Sequence, residues 1–211
     1  MDETYLRDLC AFLTDHEPAI GPWTRPLLSP QHGDLRRRTF FSIEPWKVYP
    51  AAERSGMPIP PSRGDDERMQ AAAEDNALAA VLLTHAQMST DQHAQRHKAG
   101  AADLGTVLGS VPREKMGKTT ADTLIRYASA HQQDMWTRIL HHLRHSPVRQ
   151  VDLRTVAALG YAVPGGEQRL IANPTGHYPH RPDPSKGYWV PVLDFVQSFY
   201  RAYESPVVNE R

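Results

Sequence analysis

The sequence predicts an all-α protein, a compact helical bundle with long Pro/Gly-rich loops, and three observations carry that reading. Wherever a hydrophobic period is visible it is the helical one. No alternating Val/Ile/Thr run of strand length occurs, and the 18 prolines and 13 glycines punctuate the chain between periodic segments. A chain of 211 residues can bury roughly 70% of its unfolded surface, so the core needs neither a disulfide nor a structural metal. One helical domain over residues 1–211 follows, with 1–88 and 101–205 as its natural sub-bundles.

Residues 3–15 place Leu6, Leu9, Phe12 and Leu13 on one face and stop before Pro18 and the string Pro22, Pro26, Pro30, which cannot be helical. A second element starts after Gly33 with Asp34 as its cap, and Pro45 and Pro50 keep the pieces that follow short. Residues 55–64 read as a linker. From Asp65-Asp66 a longer helix runs to about Met88, with Ala72, Ala73, Asn76, Ala80, Leu83 and Gln87 on one side and acids at its N-terminus. After a polar stretch, a short helix over 101–109 carries Gly105 and Gly109 for close packing. Residues 110–118 form a basic loop.

Two helices follow. The first is capped by Thr119 or Thr120 and buries Ala121, Leu124, Ile125 and Ala128; the second buries Trp136, Ile139, Leu140 and Leu143. Both leave their arginines facing outward. Ser146-Pro147 breaks the second, Asp152 caps another helix through Leu159, and Gly160 ends it. Residues 160–188 form a long loop. A last helix, 189–203, repeats Trp189, Val192, Leu193, Val196, Phe199, Tyr200 and Tyr203 at core spacing.

The charge balance is 24 Lys+Arg against 24 Asp+Glu, yet it is uneven along the chain. Residues 1–90 hold 9 basic and 13 acidic side chains, 91–150 hold 9 and 5, and 151–211 hold 6 and 6, for block charges of −4, +4 and 0. A polyanion should meet the middle block. The single cysteine, Cys10, makes no internal disulfide and reads as a small core residue, which suits a reducing cytoplasm. The acidic start Met1-Asp2-Glu3 and the lack of a bilayer-length apolar run predict a protein that is neither exported nor membrane-embedded.

Two catalytic patterns tempt and fail. His141 and His145 stand at i, i+4, a spacing that lets two imidazoles reach one metal, but His142 occupies the place where a hydrolytic motif needs glutamate. A helical metal-binding protein or enzyme built on these histidines is the alternative reading; the bland one is a solvated helix face. Met116-Gly117-Lys118-Thr119 ends like a nucleotide-binding loop, yet Pro112 stands where its first glycine belongs and no strand precedes it. No nucleophile motif or convergent acidic pair accompanies these. No cofactor is expected.

What remains is a set of helix-borne cations: Arg36, Arg37, Arg113, Lys115, Lys118, Arg126, Arg138 and Arg144. Arg126 and Arg138 sit mid-helix among apolar residues, so their guanidinium groups are pinned and can meet phosphates at modest entropic cost. These eight are the candidate nucleic-acid contacts.

The order of several segments resembles the CasB family, the small subunit of the type I-E CRISPR surveillance complex Cascade. The residues concerned are Leu35-Arg36-Arg37, the cluster Trp46 to Pro50, Ala77 to Leu83, Ala102 to Leu108, Leu124-Ile125-Arg126, Arg138-Ile139-Leu140 and Val151-Asp152-Leu153. The likeness spans roughly residues 30–160 and the C-terminal aromatic helix, and its specificity lies in the series. It implies a non-enzymatic helical protein present as two copies, touching the backbone and large subunits. Its basic residues, by position Arg37, Arg126 and Arg138, would steady the guide RNA and the displaced strand of target DNA. The family's basic pair before the "LIR" helix is Thr119-Thr120 here, so either Lys118, one step earlier, substitutes or that contact is lost.

Overall fold

A computed structural model of the chain describes residues 3–16, 45–89, 101–129, 135–148, 150–162, 171–172, 188–189 and 191–205. The fold is all-α. Its helices are α1 (Thr4–Asp15), α2 (Pro45–Arg54), α3 (Arg68–Ser89, entered through a 3-10 turn Asp65–Glu67), α4 (Leu104–Gly109), α5 (Lys118–Ser129), α6 (Met135–Leu143), α7 (Leu153–Ala162) and α8 (Pro191–Glu204). One two-residue antiparallel pair, β1 (Ile171–Ala172) with β2 (Tyr188–Trp189), is added to the bundle. The element expected after Gly33 lies outside the described residues. No helix among them is long and apolar enough to cross a membrane.

The centre is α3. A one-sided helix is expected there, but burial runs all round it from Asn76 to Thr84, because the unbroken apolar run Ala77–Leu83 offers no polar face to water. It packs chiefly on α7. Gly160 does not end α7; it lies inside it, where a Cβ would stand 2.8 Å from the Asn76 carbonyl oxygen and 2.9 Å from the Ala80 methyl. The glycine is there for backbone approach. Leu6, Leu9 and Cys10 of α1 are fully buried in the same cluster of side chains, which also takes in Trp136, Ile139 and Phe199.

The supposed linker 55–64 is a strap. Gly56 turns it at φ +70°, a left-handed conformation suited to glycine, and Met57 is buried. Arg63 then grips Glu74 of α3 with both ends of its fork, Nη2 to Oε1 at 2.6 Å and Nε to Oε2 at 3.1 Å. Glu74 is 0% exposed, so its carboxylate depends on this pair and on Gln70, which donates to it at 2.6 Å and also to Tyr161 on α7 at 2.9 Å. Pro45 opens α2, where its missing N–H costs nothing, and the exposed Pro50 is carried inside.

The second close-packed pair is α4 on α8. As its sequence suggests, Gly105 and Gly109 bring the backbones together: a Cβ on either would overlap the carbonyl oxygen of Phe195 or Phe199. Asp103 caps α4, accepting from the Thr106 amide at 2.9 Å. The start of α4 is laced to that of α7 by an Ala102–Val151 bridge and by the Asp152 amide donating to the Ala102 carbonyl at 2.8 Å. Along α8 the buried row is Val192, Phe195, Phe199 and Tyr203. Leu193, expected in the core, is 47% exposed, and Trp189 belongs to β2.

Gly105→Ala and Gly109→Ala should each cost about 1–3 kcal/mol or more, since the obstruction is backbone and cannot rotate away. Gly117→Ala, with nothing within 4 Å of the added carbon, should stay within about 0.5 kcal/mol of wild type. Urea denaturation of the three variants measures the contrast.

Candidate nucleic-acid interface

Leaving α4, the chain turns at once: the Lys115 and Met116 amides both donate to the Pro112 carbonyl, at 2.9 and 3.0 Å. This tight turn pushes Arg113, Glu114 and Lys115 into solvent while Met116 is fully buried behind them. α5 then starts at Lys118, one residue before the expected threonine caps, and Lys118 and Arg126 are both exposed on it. The two lie eight residues apart, so about 12 Å along the axis. A turn and a helix precede Lys118 rather than a strand, so the nucleotide-loop pattern fails structurally as well.

Arg113 does not wave freely. Its guanidinium carbon lies 3.3 Å above the centre of the Tyr203 ring, and Nη2 donates to the Tyr203 carbonyl oxygen at the end of α8. The contact combines a cation–π stack with capping of an orphan helix carbonyl. Tyr203 is itself held by stacking on Phe199, with centroids 5.6 Å apart and planes at 11°, and its hydroxyl donates to the Met116 carbonyl.

The end of α6 closes on the same region. Ser146, 1% exposed, donates to the Val107 carbonyl of α4 at 2.7 Å and lies 3.1 Å from the Ser110 hydroxyl. Arg144 is therefore only a few residues from the ground on which the 112–116 turn stands. Its guanidinium donates to His145 Nε2 at 3.0 Å and meets His141 Nδ1 at 3.2 Å. A guanidinium has donors only, so both imidazoles accept. The lone pairs that a metal would use are occupied. Among the described residues no group of three His, Cys, Asp or Glu side chains is placed to hold a metal ion.

His142 turns inward and is 7% exposed. Burial pushes its pKa down to about 4, helped by repulsion from His141, His145, Arg138 and Arg144. His141 is lowered as well, first by burial and then by Arg144 and His145. At the start of the α4–α8 contact, burial and the neighbouring Asp103 carboxylate raise Asp194 to about 7.

Of the eight cations singled out from the sequence, Arg113, Lys115, Lys118, Arg126 and Arg144 are exposed; the first two stand on the 112–116 turn, the next two on α5, and Arg144 just after α6. Arg138, expected to face outward, is instead half-buried, with Nε out of contact with water. Arg36 and Arg37 lie outside the described residues. No local pattern links Tyr203 or Pro147 to this region, since residues so far apart in the chain share none. No family model matches the chain, and neither does any curated protein or solved structure.

The shifted groups give opposite pH dependences. The native state holds His142 neutral down to about pH 4 while the unfolded chain takes up a proton near 6.5, so its contribution to stability is complete above 6.5 and is lost as the pH falls towards 4. Asp194 stays protonated to about 7 against an ordinary 3.8, so its contribution is present at low pH and is lost as the pH rises through 7. His142→Leu should flatten the acid side of the urea-midpoint profile and Asp194→Asn the neutral side. Unchanged profiles would remove these assignments.

Proposed function

We propose that this chain is a non-catalytic helical subunit that binds nucleic acid through its phosphates, of the small-subunit type found in the type I-E Cascade complex. One observation carries the reading. Lys115, Lys118, Arg126 and Arg144 are exposed, and among the described residues none of them is engaged in an ion pair with a carboxylate; the ion pairs join other residues, such as Arg63 with Glu74 and Arg68 with Asp65. Cations left unmatched in this way are available for a polyanion.

The partners in this reading are a guide RNA, the displaced strand of a target DNA, the backbone and large subunits of the complex, and a second copy of the chain. Contacts of this kind position a strand without reading its sequence, which base pairing with the guide supplies. The heteroduplex formed and the duplex lost nearly balance, so a surface that holds the displaced strand can tip the exchange with about one kcal/mol from each cation.

Lys118→Ala and Arg126→Ala should each weaken retention of single-stranded DNA nearly uniformly across sequences and reduce the salt slope of binding by about one ion. Fluorescence anisotropy over a salt series measures both. Variants that fold normally and bind like wild type at every salt would overturn the assignment. Copurification of the tagged chain with a guide RNA and companion subunits tests the Cascade assignment separately.

A further inference from the structure

Between the 112–116 turn, the end of α6 and the end of α8 lies an open cavity of about 240 Å³. Its walls are largely apolar, from Val111, Pro112, Pro147, Ala202 and the Tyr203 ring, and Gly109 at its edge contributes no side chain. Polar groups stand only at particular places: Arg113 and Glu114 on one side, Ser110 and Ser205 on others. Ser110 already donates to the Val107 carbonyl at 2.8 Å, which leaves its oxygen as an acceptor.

Arg113 gives this cavity its chemistry. One face of the guanidinium covers Tyr203, and one nitrogen is committed to the carbonyl ending α8. The residue is nevertheless exposed and lines the cavity, its planar charge already oriented by the Tyr203 ring, which in turn stacks on Phe199. A guanidinium held flat on an aromatic ring is a platform on which a further planar ring can stack. Glu114 beside it disfavours a phosphate in the cavity itself but accepts hydrogen bonds from the amino edge of a base. Lys115 and Lys118 follow on the same stretch of chain to meet the flanking phosphates.

We propose that this cavity takes one unpaired nucleobase of a bound single strand, stacked on the guanidinium of Arg113. The proposal rests on the nucleic-acid reading above and deepens it, because it adds a base-dependent contact to phosphate contacts that ignore the base. An aromatic or proline side chain from a partner protein is the competing occupant, and it predicts no dependence on bases.

The test compares two short single-stranded oligonucleotides, one of cytidines and one of the same length carrying abasic sites, against the full-length chain by anisotropy. Wild type should bind the abasic strand about tenfold more weakly, the order that one stacking contact contributes. Arg113→Lys, which keeps the charge and loses the plane, should bind both strands alike, at the level wild type shows for the abasic one, while still unfolding in one cooperative urea transition. Equal binding of the two strands by wild type overturns the base site while leaving the phosphate reading intact, and it needs no variant. A base preference that survives in Arg113→Lys removes Arg113 as the platform. Absence of salt-sensitive binding to either strand overturns the nucleic-acid reading, and this inference falls with it.

Discussion

The placing of the 112–116 turn depends on two glycines that let a short helix touch the backbone of a long one. Gly105 and Gly109 seat α4 against the Phe195 and Phe199 carbonyls, and that contact sets where both helices end. The end of α8 carries Tyr203, whose hydroxyl reaches Met116 and whose ring and carbonyl hold Arg113. The end of α4 supplies the Val107 carbonyl on which Ser146 anchors the end of α6. Three chain segments thus converge because two side chains are absent. A six-residue helix has little stability of its own, so its position comes from this packing and from the Asp103 cap.

Charge is handled differently in the two halves. Around α3 the acids are matched: Glu74 by Arg63 and Gln70, Asp75 by the Tyr49 hydroxyl at 2.7 Å, Asp65 by Arg68. A buried pair such as Arg63 with Glu74 adds little net stability against its desolvation cost, but it fixes geometry, since the carboxylate has few other places to satisfy itself. Here it ties the strap to the central helix. In the middle block the exposed lysines and arginines have no such internal partners among the described residues.

Much of the fold was legible in the sequence, and the reasons are local. Leu6, Leu9 and Leu13, like Ile139, Leu140 and Leu143, repeat at helical spacing, and Gly105 and Gly109 announce close approach. The errors came where tertiary context decides. α3 is wrapped rather than amphipathic because its neighbours cover every side, Gly160 serves packing rather than termination, and Leu193 yields its expected core place to Phe195, which the sequence reading passed over. The candidate site was half legible: composition pointed to the cations of the middle block, but residue type cannot show that Arg113 would lie on a ring ninety positions away or that Arg138 would be half-buried.

The zero net charge is no obstacle to binding a polyanion, because fields between exposed charges fade within about 8 Å at physiological salt. What a strand meets is the local set of side chains. Lys118 and Arg126, about 12 Å apart along α5, lie beyond that range, so under the proposed function each would meet its own phosphate. Arg113 is held by its stack, so the entropy of fixing its long side chain has already been spent in folding. Under the proposed function the exposed cations would supply affinity through phosphates, while the fixed plane of Arg113 would set register along the strand.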